Sequence, residues 1–513
     1  METVVELLED KAKRYPQNKI EVYGVETMTF QEWNSKSTKL ANILYYDFGV
    51  RKGDRVAIMF SNKDAVFFKI SYFGVVKCGA LPVPVNIRLP AEGIKFVLEN
   101  SEAKGIIFGD EFSENIQKLK KEVKLGFYIS RSQAENALSN KKDGNPPPVE
   151  IKGSDHLDII YTSGTTGFPK GVISTHRSLF VRDDSIYESM YAGRTFLHAV
   201  PLFTFAGCHA MMLIPLRYAL NAVILPKFDA KHFLEVMKRK DIVMVYAVPF
   251  HLLSVMREEE FEKSDLEHIK LIMFGTAPMP PWAVKKLAEK LPSTWIMNLY
   301  GATEAGMAGC FLPPGMASQK PDSIGIPLPP TEVKICDDDG NEVPRGQKGE
   351  IWMRIPGVDP RKYFKDEESS KKVWTEDGWV KTGDIGYMDE DGYLYVVDRK
   401  KDIIIRGGFN ISSAKVEGVI MSHPDVVESA VVGVPHPLLG EDVFAFVVAK
   451  RKISEQELIN FLKDKLADNE IPRYYEFVDE LPKNATGKVL KYELRERAKK
   501  IYEERRRKEG KEV

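Results

Sequence analysis

Cysteine is scarce in this chain of 513 residues: Cys78, Cys208, Cys310 and Cys336 lie far apart. No pair has zinc-ligand spacing, and nothing in them reads as a disulfide framework. A surplus of one charge is also missing. Lys and Arg number 73 against 74 Asp and Glu, a net charge of −1, which points to neither nucleic acid nor an anionic membrane surface. No two glycines are spaced i, i+2, which excludes the Rossmann dinucleotide signature. No Gly-Lys is followed by Ser or Thr, which excludes a Walker A loop. The nine histidines include no ligand-spaced pair, so a metal hydrolase is disfavoured. Glutamine occurs seven times while Lys and Glu abound, a bias found in heat-adapted proteins.

Targeting signals are absent by the same reading. The start is a charged amphipathic pattern (Val5, Leu7, Leu8, Ala12) after Glu2, unlike a signal peptide. The end, Lys511-Glu512-Val513, is not a peroxisomal address. Thr195 to Leu216 is free of Asp, Glu, Lys and Arg over 22 residues, long enough for a bilayer. Pro201, Gly207, His209 and Pro215 interrupt it, so it reads as a buried loop followed by a core helix, with no transmembrane segment. A cytoplasmic location is the expectation.

What is present is ordinary globular composition, and a length that suggests about three compact units. The first 150 residues alternate amphipathic helical patterns with short apolar runs such as Val56–Phe60, Ala80–Asn86 and Gly105–Phe108. With Val243–Val248 and Leu271–Phe274 later on, this predicts an α/β fold with a mostly parallel sheet. Lys141–Pro148 reads as a turn-rich linker. From about Pro321 to Val397 the texture changes to short strands with Gly turns, suited to a small β-barrel or distorted sheet. A boundary is expected at Asp398, giving domains 1–397 and 398–513. The second is α+β, with helical patterns at Val416–Ile420 and Glu455–Leu466 and strands at Val427–Val434 and Val443–Ala449. From Glu493 the tail is almost all charged, either a solvated last helix or a frayed end.

Five segments carry chemistry. Tyr161-Thr162-Ser163-Gly164-Thr165-Thr166-Gly167-Phe168-Pro169-Lys170-Gly171-Val172 follows the apolar run Leu157, Ile159, Ile160, which reads as a buried strand. The loop is rich in N–H and O–H donors with one cation, and suits a polyphosphate. Asn298-Leu299-Tyr300-Gly301-Ala302-Thr303-Glu304 offers an aromatic face, an amide and a carboxylate able to hold Mg²⁺; alone it also reads as a strand end with Thr303 as helix cap. Trp379-Val380-Lys381-Thr382-Gly383-Asp384 sets a carboxylate on a tight turn, apt for ribose hydroxyls or simply a turn. Asp398-Arg399-Lys400-Lys401-Asp402 leads to Arg406-Gly407-Gly408-Phe409-Asn410-Ile411, where paired glycines permit close backbone approach; the charged part is otherwise a solvated linker. Pro482-Lys483-Asn484-Ala485-Thr486-Gly487-Lys488-Val489-Leu490 puts a lysine on a glycine turn.

In this order, the five resemble the motifs of the adenylate-forming superfamily: acyl-CoA synthetases, peptide-synthetase adenylation domains and beetle luciferases. The resemblance extends over nearly the whole chain and is greatest to AMP-forming medium- or long-chain fatty acyl-CoA ligases. It implies an N-terminal domain binding ATP and acid, and a smaller mobile C-terminal domain carrying the catalytic lysine. Thr162, Ser163, Gly164, Thr165, Thr166, Gly167 and Lys170 would hold the phosphates, and Gly275, Thr276, Ala277 and Pro278 would lie beside the nucleotide. Tyr300 would stack on adenine and Asn298 contact its amine, with Gly301, Ala302 and Thr303 in the same motif. Glu304 would bind magnesium with Thr166 nearby. Asp384 and Arg399 would grip the ribose, Asp398 would be the hinge, and Gly407, Gly408 and Phe409 would receive coenzyme A. Lys488 would bridge carboxylate and α-phosphate, offsetting the repulsion of two anions.

The implied reaction has two halves: acid and ATP give acyl-adenylate and pyrophosphate, then coenzyme A displaces AMP. Amino-acid-activating relatives carry Asp just after the Phe equivalent to Phe203; Thr204 stands here, so an α-ammonium would lack its counter-ion. Many ligases carry His at that position instead. Phe203, Thr204, Phe205, Ala206, Val248, Pro249 and Leu252 are expected to line the acid site, favouring a medium- or long-chain fatty acid, with an aryl acid or another acceptor as alternatives. A non-catalytic nucleotide-binding relative is the reading from a different class; retention of Lys488, Glu304, Asp384 and Arg399 argues against it. The oligomeric state is open, a homodimer included.

Overall fold

The computed structural model describes residues 1–162, 169–182, 185–483 and 487–508. Its largest element is a nine-stranded sheet. Strands Trp295–Gly301, Leu271–Gly275, Ile242–Ala247, Thr195–His198, Asn221–Ile224 and Lys19–Val22 run parallel in that spatial order. Antiparallel strands Glu26–Thr29 and Gly309–Phe311 with Ile326–Pro327 close its two edges. Both faces are covered, so alternate residues of one strand enter different cores. Leu197 and Val245 pack with Phe233, Leu252 and Leu287. Phe196, Met244, Tyr246 and Met297 pack on the other face with Met211 and Val248.

A second, all-parallel sheet runs Leu81–Pro84, Arg55–Met59, Ala103–Phe108, Phe127–Ser130. The phosphate-type loop joins two antiparallel strands, His156–Thr162 and Lys170–Thr175, whose last pair is Thr162 with Lys170. The segment is therefore flanked by a strand on each side, whereas a Walker loop runs from a strand into a helix. A two-residue strand, Lys362–Tyr363, adds to the second arm. The Gly-turn region forms an antiparallel sheet of Glu332–Cys336, Gly349–Arg354, Val380–Met388 and Leu394–Arg399.

Strands after Ile404 pair among themselves. Val426–His436 and Gly440–Ala449 form a long antiparallel pair, extended by Ile404–Arg406, Phe409–Ile411 and Tyr474–Phe477. This sheet has two cores. Val431, Val443 and Val447 face helices Ser413–Ile420 and Glu455–Leu462, while Ala430, Val432 and Phe446 face Leu494, Ala498 and Tyr502. Those last three residues recur at i, i+4, i+8, so the charged tail is a helix, Lys491–Lys508, held by a narrow apolar stripe.

Three expectations change. The uncharged segment from Thr195 opens with a strand, Thr195–His198, before the loop; the helix that follows, Ala206–Leu213, has wide i→i+5 turns. Thr303 caps no helix, because residues 303–307 form turns. The helical pattern from Glu455 stops at Leu462. Among the described residues no helix is long and apolar enough to cross a membrane, and all four cysteines are free and buried.

Candidate active site

The adjacent strands Val380–Met388 and Leu394–Arg399 set Asp384 directly opposite Arg399. The Arg399 Nε lies 3.4 Å from one Asp384 oxygen, and the Tyr300 hydroxyl donates to the other at 2.6 Å. Asp384 is 8% exposed, and its amide donates to the Thr382 hydroxyl at 3.1 Å; the expected tight turn is instead an irregularity within the continuous strand Val380–Met388. Tyr300 sits at the end of its strand; burial, and then the neighbouring Asp384, push its phenol well above its usual range. Asn298, two residues earlier and on the same side, spends its amide nitrogen on the Ser323 carbonyl at 3.1 Å, leaving its Oδ1 as the acceptor to offer. Residues of three motifs, Tyr300, Asp384 and Arg399, thus meet at one carboxylate.

Lys488 reaches the same place from the C-terminal part of the chain. Burial, and then the Arg399 guanidinium, pull its ammonium down to about 7, with Asp384 and Asp402 working the other way. A methyl at Gly487 would come to 4.0 Å from Val248, one of the expected acid-site residues. The two parts of the chain also touch where Lys483 lies 4.1 Å over the Phe250 ring and Arg257 donates to the Val426 carbonyl at 3.1 Å.

Glu304 accepts a hydrogen bond from the Tyr363 hydroxyl at 3.0 Å, and its carbonyl accepts from the Trp374 indole at 3.2 Å. Among the described residues no Lys, Arg or His is ion-paired with this carboxylate, a hard oxygen donor that fits Mg²⁺. Lys170 packs 5.0 Å over the same Tyr363 ring and donates to the Ser369 hydroxyl at 2.5 Å. Sequence reading had not singled out Tyr363; its strand is too short for any periodicity. Ser163, Gly164, Thr165, Thr166 and Gly167 lie outside the described residues, and Thr162 closes the hairpin below them.

Beside the nucleotide motif, Gly275 is required by packing: a methyl there would meet the Leu299 carbonyl at 2.3 Å. Thr276 has φ +73 and is exposed, a left-handed conformation uncommon for a non-glycine residue. Ala277 and Pro278 follow without regular structure, and Gly301 and Ala302 close the strand.

The loop expected to line the acid site is held by its own residues. The Thr204 hydroxyl donates to the Pro201 carbonyl at 2.9 Å and accepts from the Gly207 amide at 3.0 Å. The hydroxyl is thus committed to the turn. A methyl at Gly207 would strike the Pro201 carbonyl at 2.0 Å. Phe203, Val248 and Pro249 are buried, and Phe205 is half-buried. Val248 belongs to the apolar layer of Phe196, Met211, Met244, Tyr246 and Met297. Those residues escaped the motif search; their signal was the alternation Phe196/His198 and Met244/Tyr246.

Asp398 is buried, and its carboxylate accepts from the Ser413 hydroxyl at 2.7 Å and the Ala414 amide at 3.2 Å, gripping the first helix past the boundary. Gly407 and Gly408 have φ +58 and +85 and form the turn between two short strands. Phe409 is 64% exposed, with Ile405 and Leu438 exposed nearby. This face stands in solvent, whereas Asp384 is buried.

The model of the AMP-binding enzyme family matches residues 8–360, and that of its C-terminal domain matches residues 415–488. The chain is 33% identical over 478 residues to the long-chain-fatty-acid–CoA ligase FadD13 of Mycobacterium tuberculosis, covering 91% of this chain and 93% of that one. Among solved structures, ATP-bound MatB from Rhodopseudomonas palustris superposes with a TM-score of 0.87 at 28% identity, covering 97% and 99% of the two chains. The anthranilate CoA ligase AuaEII with anthranoyl-AMP has a TM-score of 0.87 at 26% identity, covering 97% of each. Family matches over both parts of the chain, in the order its motifs predict, leave one conclusion: the chain belongs to the AMP-binding enzyme family.

Proposed function

We propose that this AMP-forming acyl-CoA synthetase activates a medium- or long-chain fatty acid. The observation that carries the reading is the meeting of Tyr300, Asp384, Arg399 and Lys488 beside an acid loop without a counter-charge for an α-ammonium. Tyr300 and Asn298 bind adenine, and Asp384 with Arg399 holds the ribose. Glu304, with Thr166, would hold Mg²⁺, which supplies neutralisation of the triphosphate. The acid carboxylate attacks the α-phosphorus, the bond to pyrophosphate breaks, and the acyl-adenylate forms. Lys488 lies between the two anions and stabilises the charge shared in the transition state. The acyl chain rests against the Met-rich layer beside Val248, whose unbranched side chains adapt to a flexible ligand.

In the second half the thiol of coenzyme A attacks the acyl carbon and AMP leaves. Residues 398–513 act as a domain that turns about Asp398, withdraws Lys488 and brings Gly407, Gly408 and Phe409 to the adenylate. What supports this is the contrast between Lys488, turned towards Asp384, and Phe409, exposed away from it.

The test is pyrophosphate release from ATP across short-, medium- and long-chain acids, benzoates and cinnamates, with and without coenzyme A. Release confined to medium or long chains, with acyl-CoA and AMP accumulating only when the thiol is present, is the expected result. Release confined to aryl acids would overturn the substrate assignment. Release without thioester would overturn the acceptor.

A further inference from the structure

Arg361 is 7% exposed and stands one residue before the short strand that bears Tyr363. Its guanidinium reaches three parts of the site at once. One nitrogen donates to the carbonyl of Thr303, the residue before Glu304, at 3.1 Å. Another lies 3.4 Å from His209 Nδ1. The guanidinium carbon lies 5.1 Å from the Phe205 ring of the acid loop. Gly306, with φ +62, makes room: a methyl there would come to 2.6 Å from the arginine Nε.

The contact to His209 continues into the phosphate hairpin. His209 is 1% exposed and its Nε2 lies 2.7 Å from Asp158, which is wholly buried on the strand leading into the loop. With a guanidinium facing Nδ1, the ring proton belongs on Nε2, donated to Asp158. Asp158 also accepts from Tyr72 at 2.7 Å and from Ser174 on the opposite arm of the hairpin. A fully buried cation is retained only where its neighbours are placed for it. Here those neighbours are the acid loop, the carbonyl beside the magnesium carboxylate and, through His209, both arms of the hairpin.

We propose that Arg361 is a positioning residue that ties the acid loop to the ATP- and magnesium-binding motif, so that seating of the acid and of the metal nucleotide depend on each other. This rests on the function proposed above. The planar fork matters, because its donors sit on separate nitrogens held in one rigid plane, whereas the donors of an ammonium all leave a single atom and cannot span the same two contacts. Loss of the fork loosens the Thr303–Glu304 backbone and the Phe205 ring together, while the face that receives the thiol is untouched.

The test compares wild type with Arg361→Met and Arg361→Lys. Mn²⁺ binding is read by electron paramagnetic resonance in the presence of a non-hydrolysable ATP analogue, KM for the acid is read from pyrophosphate release, and thioester formation is read from supplied acyl-adenylate. Arg361→Met should weaken Mn²⁺ binding and raise the acid KM, each by about tenfold, within the range of ordinary coupling between sites. Arg361→Lys should shift both by a smaller factor, and thioester formation should hold within about twofold. Should the methionine variant fail to fold, the lysine variant decides. Wild-type Mn²⁺ affinity and acid KM, with only the melting temperature lowered, would overturn the proposal. Unchanged Mn²⁺ binding with a raised acid KM would overturn the coupling. A wild type silent to every acid would refute the proposed reaction, while the Mn²⁺ comparison would still judge Arg361.

Discussion

Burial, and then the Arg399 guanidinium, hold the Lys488 ammonium at about 7. The free enzyme at pH 8 therefore holds Lys488 mostly neutral. A polyanion arriving beside it favours the charged form, so ATP binding should take up a proton from solution above pH 7, and this uptake should vanish in Lys488→Met. Calorimetry in buffers of different ionisation enthalpy measures it; equal uptake in both proteins would refute the assignment. Glu304→Gln should raise the magnesium concentration needed for half-maximal pyrophosphate release by at least about tenfold, the scale on which metal-site substitutions act. An unchanged magnesium titration would refute its role. Arg361 and Tyr363 were invisible at this scale: an arginine and a tyrosine in a charged stretch have no pattern until the strand pairs with Lys170–Thr175.

At the scale of elements, much of the fold was legible because buried parallel strands are written as apolar runs bounded by turns. Leu271–Gly275 and Ile242–Ala247 match the expected runs to within a residue. Two elements were at most partly legible. The last helix, which the charges leave open between a helix and a frayed end, packs Leu494, Ala498 and Tyr502 on its sheet with Ile501 beside them, a stripe too thin to stand out among charges. The acid loop's shape depends on hydrogen bonds that close over three residues. Thr204→Val, of nearly the same shape, should therefore cost about 1–3 kcal/mol by leaving the Gly207 amide without its acceptor, as read by denaturant unfolding. A cost near zero would show that the turn is set elsewhere. Gly275→Ala should fold poorly or not at all, because the added methyl meets backbone of the next strand; soluble expression and melting temperature report it.

At the scale of the whole molecule, Tyr300, Asp384, Arg399 and Lys488 converge, while Phe409, assigned to coenzyme A, stands exposed on a glycine turn. The C-terminal part meets the rest of the chain where Lys483 lies over Phe250, where Arg257 donates to the Val426 carbonyl and where Gly487 approaches Val248. No pattern in the sequence shows how the two parts dock, because these pairs are far apart along the chain. The proposal that Lys488 serves adenylation alone is tested by Lys488→Ala, assayed for pyrophosphate release and, separately, for thioester formation from supplied acyl-adenylate. Pyrophosphate release should fall by at least about 10²–10³-fold, and thioester formation should stay near wild type. Equal loss of both halves would contradict it.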